Sequence, residues 1–249
     1  MNRTGLEVKG VAAHWDDLHV LDDLSFKVEA GQFTAIVGPS GCGKSSTFAA
    51  LTGEIGIDKG SVEVGGVPVV NHGNEFAWMP QSGALLPWRT ALQNATLGIE
   101  LTGTPPAEAS DRAKPYMDAF GLSGFEDSWP HQLSGGMRQR VALLRTVLMD
   151  RPVLLLDEPF GALDALTRRS MQDWLERLWE EHRWTVVLIT HDVREAVFLA
   201  DRVFVYSDRP AAVKATVEID LPRPRRLEMI QTPEFARMES EILSVLFST

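Results

Sequence analysis

Three short runs of branched apolar residues recur along this chain, at 33–37, 153–156 and 186–189, each bounded by Gly, Asp or His. Runs of that length without polar alternation predict strands buried on both faces, as in a parallel sheet. Between the last two, Met171, Trp174, Leu175, Leu178 and Trp179 keep helical spacing, and Met137, Val141, Leu144 and Leu148 do the same just before the second run. Each set gathers its apolar side chains on one helix face. The alternation of strand, helix and strand predicts an α/β layered fold.

The flanks follow other patterns. Leu6-Glu7-Val8 and residues 20–28 and 61–70 are β-rich, and Gly65-Gly66 marks a hairpin turn, so an antiparallel sheet is predicted beside the parallel one. From 82 onward the pattern turns helical, with loop breaks at Gly103-Thr104-Pro105-Pro106 and 121–124; together with the helix before the second run this outlines a helical subdomain over 82–150. Pro115 falls inside its second helix and is expected to start or kink it. Residues 202–206 and 213–219 read as edge strands. A last amphipathic helix over 234–248 carries Phe235, Met238, Ile242 and Val245 on one face. With no internal repeat, residues 1–249 are expected to form a single domain.

Composition narrows the classes. At 44% hydrophobic and 23% charged, the 249 residues suit a packed core. Thirty-four acidic against 24 basic residues give a net charge of −10 with no dense basic run, which argues against nucleic acid as a partner. The single cysteine, Cys42, has no intramolecular partner and suits a reducing compartment. The first five residues lack the apolar core of a secretory signal, and no apolar stretch approaches the roughly 20 residues that span a bilayer. Any membrane role is therefore expected to come through a partner.

The chemistry lies at the strand ends. Gly38-Pro39-Ser40-Gly41-Cys42-Gly43-Lys44-Ser45 fits the pattern G-x4-G-K-[ST], after one apolar run and before a helical stretch. Glycines let backbone N–H groups turn inward around phosphate oxygens at a helix N-terminus. Lys44 is expected to reach the β and γ phosphates and the Ser45 hydroxyl to ligate Mg²⁺. The second run ends in Asp157-Glu158, at the sheet edge where α/β folds bind ligands. There Asp157 can hold Mg²⁺ and Glu158 can polarise a water as general base; taken alone, the pair fits a solvated loop equally well. His191 closes the third run, where an imidazole could meet the γ phosphate or simply hydrogen-bond the loop.

Leu133-Ser134-Gly135-Gly136-Met137-Arg138-Gln139-Arg140 resembles the LSGGQ-type signature of ABC ATPases. Ser134 and the two glycines leave N–H groups open at a helix start, which makes a second anion site. The resemblance covers nearly the whole chain. It implies an ABC ATPase fold, with a phosphate-loop NTPase core, a flanking antiparallel β subdomain and a helical subdomain, binding ATP and Mg²⁺. It also implies roles for single residues: Trp15 stacks on adenine where the family usually has Tyr, and Gln81 is the Q-loop glutamine that senses metal and γ phosphate. Ala162-Leu163-Asp164 matches the D-loop and His191 the switch histidine. Gly38, Ser40, Gly41, Cys42, Gly43, Lys44, Ser45 and Ser46 form the phosphate loop, with Ser46 where Thr is commoner.

The family arrangement implies a head-to-tail homodimer, each ATP lying between one chain's phosphate loop and the signature Ser134-Gly135-Gly136 of the other. A permease and, indirectly, a solute-binding protein are the further partners. The segment from Met79-Pro80-Gln81 through Leu85-Leu86-Pro87-Trp88-Arg89-Thr90 to Asn94, with Glu158-Pro159-Phe160-Gly161, resembles importers of nitrate, sulfonate, taurine and pyrimidine or thiamine precursors. Leu85, Leu86 and Trp88 either meet the permease or pack within the helical insert. The expected place of action is the cytoplasmic face of the cell membrane.

Overall fold

The computed structural model describes residues 4–70 and 74–248; the first three residues, part of the reading that excludes a leader, lie outside this set. In chain order the elements are strands β1 (Leu6–Trp15), β2 (Leu18–Val28) and β3 (Phe33–Val37), helix α1 (Lys44–Thr52), and strands β4 (Lys59–Val64), β5 (Val67–Pro68) and β6 (Phe76–Met79). Three helices follow, α2 (Ala91–Leu101), α3 (Pro106–Ala119) and α4 (Gly135–Leu148), then β7 (Val153–Asp157), α5 (Ala165–His182), β8 (Thr185–Ile189) and α6 (Val193–Leu199). The chain ends with β9 (Arg202–Tyr206), β10 (Val213–Glu218) and α7 (Pro233–Phe247).

These strands make two sheets. One is antiparallel in the order β2-β1-β4-β5, and the other has six strands in the order β10-β9-β3-β8-β7-β6. The turn between β4 and β5 is Gly65-Gly66, with φ of 61° and 77°; two successive positive values define the hairpin turn that matches strand twist.

Period-two alternation explains why the central strands are apolar throughout. Val186 and Leu188 of β8 face a core shared with α2 to α7, whereas Val187 and Ile189 face a second core shared with α1 and the antiparallel sheet. Strands β3, β7 and β9 divide their side chains in the same way. A sheet covered on both faces leaves no side for polar residues.

Two sequence expectations are corrected. Strand β9 is internal, pairing in parallel with β3 and antiparallel with β10; Val203, Phe204, Val205 and Tyr206 are all buried, so the run carries the mark of a two-faced strand. Of these two strands only β10 is an edge, the opposite edge of the sheet being β6. Helix α3 starts at Pro106 rather than Pro115. A proline in the first turn gives up an N–H that would have no intrahelical partner. Pro115 lies on the exposed face of the same helix, and its cost of about 3 kcal/mol, from a lost hydrogen bond together with the ring's clash with the preceding turn, is offset by burial of Ala109, Ala113 and Met117 opposite it.

Candidate nucleotide-binding site

Four parallel strands set the site because their C-terminal ends are level. Ile36 pairs with Ile189, Ile189 with Asp157, and Met79 with Leu156. One or two residues beyond these positions come the phosphate loop, His191, Glu158 and Gln81. The cleft they enclose measures about 500 Å³ and is lined by Ser40, Gly41, Gly43, Lys44, Ser45, Ser46, Gln81, Glu158 and His191.

Each side chain has an identifiable restraint. Lys44 is buried, and its ammonium donates to the carbonyls of Gly38 (2.9 Å) and Pro39 (2.7 Å), so the lysine closes the loop on itself. Gly43 has φ 127°, and a Cβ there would lie 2.7 Å from the Val20 carbonyl oxygen. Any other residue would push β2 away from the loop, whereas Gly41, also at positive φ, faces open space. Cys42 points the other way: its thiol is buried in the second core, and burial pushes its pKa up. Its side chain has a packing role.

Glu158 has φ 43°, the left-handed region that side chains rarely occupy. Its own N–H donates to Ile189 O at 2.9 Å, and its carbonyl accepts from Gly161 N at 3.1 Å. These bonds hold the carboxylate between two partners: Gln81 Nε2 donates to Oε2 at 2.9 Å, and His191 Nδ1 lies 3.2 Å from Oε1. The neighbouring Asp157 is buried. Burial raises its pKa, a hydrogen bond from Ser45 and the charge of Lys44 act against that rise, and Glu158 adds to it.

The donor set suits a hard cation. Ser45 hydroxyl, Asp157 carboxylate and the Gln81 amide offer oxygen ligands without thiolate or imidazole, the chemistry of a Mg²⁺ site completed by phosphate oxygens. No group of three His, Cys, Asp or Glu side chains that could hold a metal occurs among the described residues, so protein carboxylates alone do not build a cage here.

The remaining predicted residues lie elsewhere. Ser134 caps α4, its hydroxyl accepting from Met137 N at 3.2 Å, while Gly136 packs so closely that a Cβ would meet Thr167 Cγ2 at 2.9 Å. Asp164 caps α5 through Leu166 N and Thr167 N, both at 3.1 Å. Gly135 with Ala162, Leu163, Arg138 and Gln81 lines a second cavity of about 240 Å³. Gln81 is thus shared by both cavities, but Ser134, Gly135, Gly136 and Asp164 do not line the first. Trp15 is half exposed at the end of β1 and lies outside that lining too. Its hairpin nonetheless touches the loop, through Val20 and Leu21 against Gly43.

Two tethers were missed in the sequence. Arg145 donates to the carbonyls of Gly83 (2.5 Å) and Ala84 (2.8 Å), which fixes the segment after Gln81. Asn94, fully buried, accepts from Leu86 N and donates to the carbonyls of Leu86, Arg89 and Thr90. Arg145 gives no local signal, because its partners stand more than sixty residues away.

A strand-end phosphate loop, an acidic pair and a separate signature helix define a phosphate-loop ATPase of cassette type. The family model described as ABC transporter matches residues 21–161, and the chain belongs to that family. It is 42% identical over 246 residues to an aliphatic sulfonates import ATP-binding protein of Pseudomonas putida, covering 99% of this chain and 87% of that one. It is also 43% identical over 226 residues to an uncharacterized ABC transporter ATP-binding protein of Methanocaldococcus jannaschii, at 91% and 84% coverage. Among solved structures it resembles a dimeric ABC transporter cassette, MJ0796, in a post-hydrolysis state bound to ADP and Pi. The TM-score is 0.74 at 26% identity, covering 87% of this chain and all of that one. The chain is an ATP-binding cassette and an ATPase.

Proposed function

We propose that this chain is the ATP-hydrolysing subunit of an importer, one half of a homodimer that closes on two ATP molecules beneath a permease. The observation that carries the dimer is that the phosphate loop and the signature line different cavities, Lys44 and Ser45 one and Gly135 the other, with Gln81 common to both. One nucleotide within one chain cannot use both, and a second copy turned head to tail can. The structural likeness to MJ0796, a cassette solved as a dimer, supports this reading.

Each residue then has a task that follows from its position. Backbone N–H groups of 40–45 and the Lys44 ammonium hold phosphate oxygens once the ammonium leaves the Gly38 and Pro39 carbonyls. Ser45, Asp157 and Gln81 would hold Mg²⁺, which would supply charge neutralisation on the phosphate oxygens. Glu158, oriented by Gln81 and His191, accepts a proton from the attacking water, and His191 can turn from the carboxylate to the γ phosphate. The side chain of His191 is 56% exposed, so the turn needs no repacking. Trp15 offers its ring to adenine.

For cargo we propose small organic anions of the sulfonate class, carried by a permease and delivered by a solute-binding protein. The support is the set of relatives named as aliphatic sulfonate import proteins in Agrobacterium fabrum and Pseudomonas putida. No helix among the described residues is long and apolar enough to cross a membrane; in this reading the permease crosses it and the cassette sits on the cytoplasmic face. Trp88, 68% exposed, and partly buried Leu85 and Leu86 form the apolar surface offered to it.

Purified wild type and Glu158→Gln, compared by size and ATP hydrolysis with and without ATP and Mg²⁺, test the reading. An ATP-dependent dimer in the variant with hydrolysis confined to wild type is expected. A variant that stays monomeric at saturating ATP, or one that still turns over, would overturn it.

A further inference from the structure

The guanidinium of Arg168, in the first turn of α5, reaches two loops at once. Its Nε donates to Phe160 O at 3.3 Å and its Nη2 to Leu163 O at 3.0 Å, which pins the stretch that begins two residues after Glu158. Its Nη1 faces Asp192 Oδ2 at 4.0 Å. Asp192 follows His191 directly, and its two carboxylate oxygens have separate tasks. Oδ1 caps α6, accepting from Arg194 N (2.9 Å) and Glu195 N (3.3 Å), which leaves Oδ2 for the guanidinium. The Asp192 N–H in turn donates to Thr190 Oγ1 at 3.0 Å, so the whole 190–192 turn is fixed by its neighbours. Both side chains of the pair are about a third exposed, dry enough for the contact to matter and open enough for it to change.

We propose that Arg168 is a positioning residue for hydrolysis, joining the 160–164 loop to the turn that carries His191. The inference rests on the reading above, in which Glu158 and His191 act on the attacking water. Its consequence is directional. Ala162 and Leu163 line the second cavity, on the signature side, and Arg168 holds the Leu163 carbonyl. Whatever presses on the 160–164 loop from that side, the partner chain and its nucleotide included, is passed through one rigid planar group to Asp192 and so to His191. Lysine would not serve, since a single ammonium cannot satisfy two carbonyls and a carboxylate in the directions that the fork covers.

Steady-state ATP hydrolysis by the full chain tests this in two stages. Glu158→Gln comes first: if it hydrolyses ATP normally, the underlying reading fails, whatever Arg168 does. With that variant inactive, Arg168→Gln should lower kcat about tenfold and leave KM for ATP within about twofold, the mark of lost alignment rather than lost binding. Asp192→Asn keeps the helix cap, since asparagine caps as well as aspartate, and should show the same loss. The double variant should be no slower than either single one, because both break one link. Wild-type kcat in Asp192→Asn, or losses in the two variants that multiply, would overturn the proposal. Should Arg168→Gln fail to fold, Arg168→Lys with Asp192→Asn carries the same comparison.

Discussion

Glu158 accepts a hydrogen bond from Gln81 Nε2 at 2.9 Å while its backbone sits at φ 43°. A side chain held by its neighbours in a disfavoured backbone region stores strain where alignment matters. Glu158→Gly should therefore relieve about 1 kcal/mol of strain and raise the melting temperature of the nucleotide-free protein by a few degrees. Turnover should vanish in the same variant. Calorimetry beside an ATPase assay would check both, and a glycine variant less stable than wild type would refute the strain argument.

Trp15 stands beyond the cleft lining, yet its hairpin leans on Gly43. Stacking of a base on an aromatic ring is worth about 1–3 kcal/mol, so Trp15→Ala should weaken ATP binding about tenfold in calorimetric titration and leave kcat nearly unchanged. Trp15→Tyr should restore affinity. Equal affinity in all three proteins would place adenine elsewhere.

How far the sequence reveals this site depends on the range of each interaction. Lys44, Glu158 and His191 converge because each follows a strand, and those strand ends are legible as apolar runs stopped by polar residues, whereas Gln81 follows β6 and is legible only through the family resemblance. Pairing order is not local. Nothing in Val203-Phe204-Val205-Tyr206 says that β3 lies beside it, and being near the end of the pattern suggested an edge. The four-residue strand β6 was hidden for a similar reason: it is too short to show a period, and its partner Val153–Asp157 lies over seventy residues on. Arginine bridges such as Arg168 to Asp192 join residues 24 positions apart with no spacing rule to betray them.

Ser134 marks the signature helix, and its place at the N-cap predicts what crowding would do. Ser134→Arg removes the bond from Met137 N, at about 1 kcal/mol, and sets a long cation where the partner's phosphate would approach. ATP should still bind the single chain, but the ATP-dependent dimer should be lost in light scattering of the Glu158→Gln background. Normal dimerisation would mean that the facing surface is not this helix end.

Asn94 fastens the loop that presents Trp88. With four hydrogen bonds to that loop from a fully buried side chain, Asn94→Ala leaves several backbone groups unpaired at a cost of about 3 kcal/mol. For a chain of this size that corresponds to a drop of about 10 °C in melting temperature. A fall of less than about 3 °C would show that water replaces the side chain.

Glu195 supplies a test in pH. It is buried between α5 and α6, where Gln172 Nε2 donates to its Oε2 at 3.2 Å, and burial together with the charge of Asp192 pushes its pKa up to about 8, against the smaller opposing pulls of Gln172, Thr190 and Arg168. The folded protein therefore keeps this proton up to about pH 8, while the unfolded chain releases it near the ordinary value of 4.5. Between those limits the unfolded state binds fewer protons, so stability is fully present at low pH and declines as pH rises. Asp157 is raised as well and pulls in the same direction, but it is common to both proteins compared. Glu195→Gln keeps an acceptor for Gln172 and removes the ionisation, so its melting temperature should fall less than that of wild type between about pH 5 and pH 8, with the gap widest at the alkaline end. Parallel curves would mean that the Glu195 carboxyl ionises in the fold without penalty.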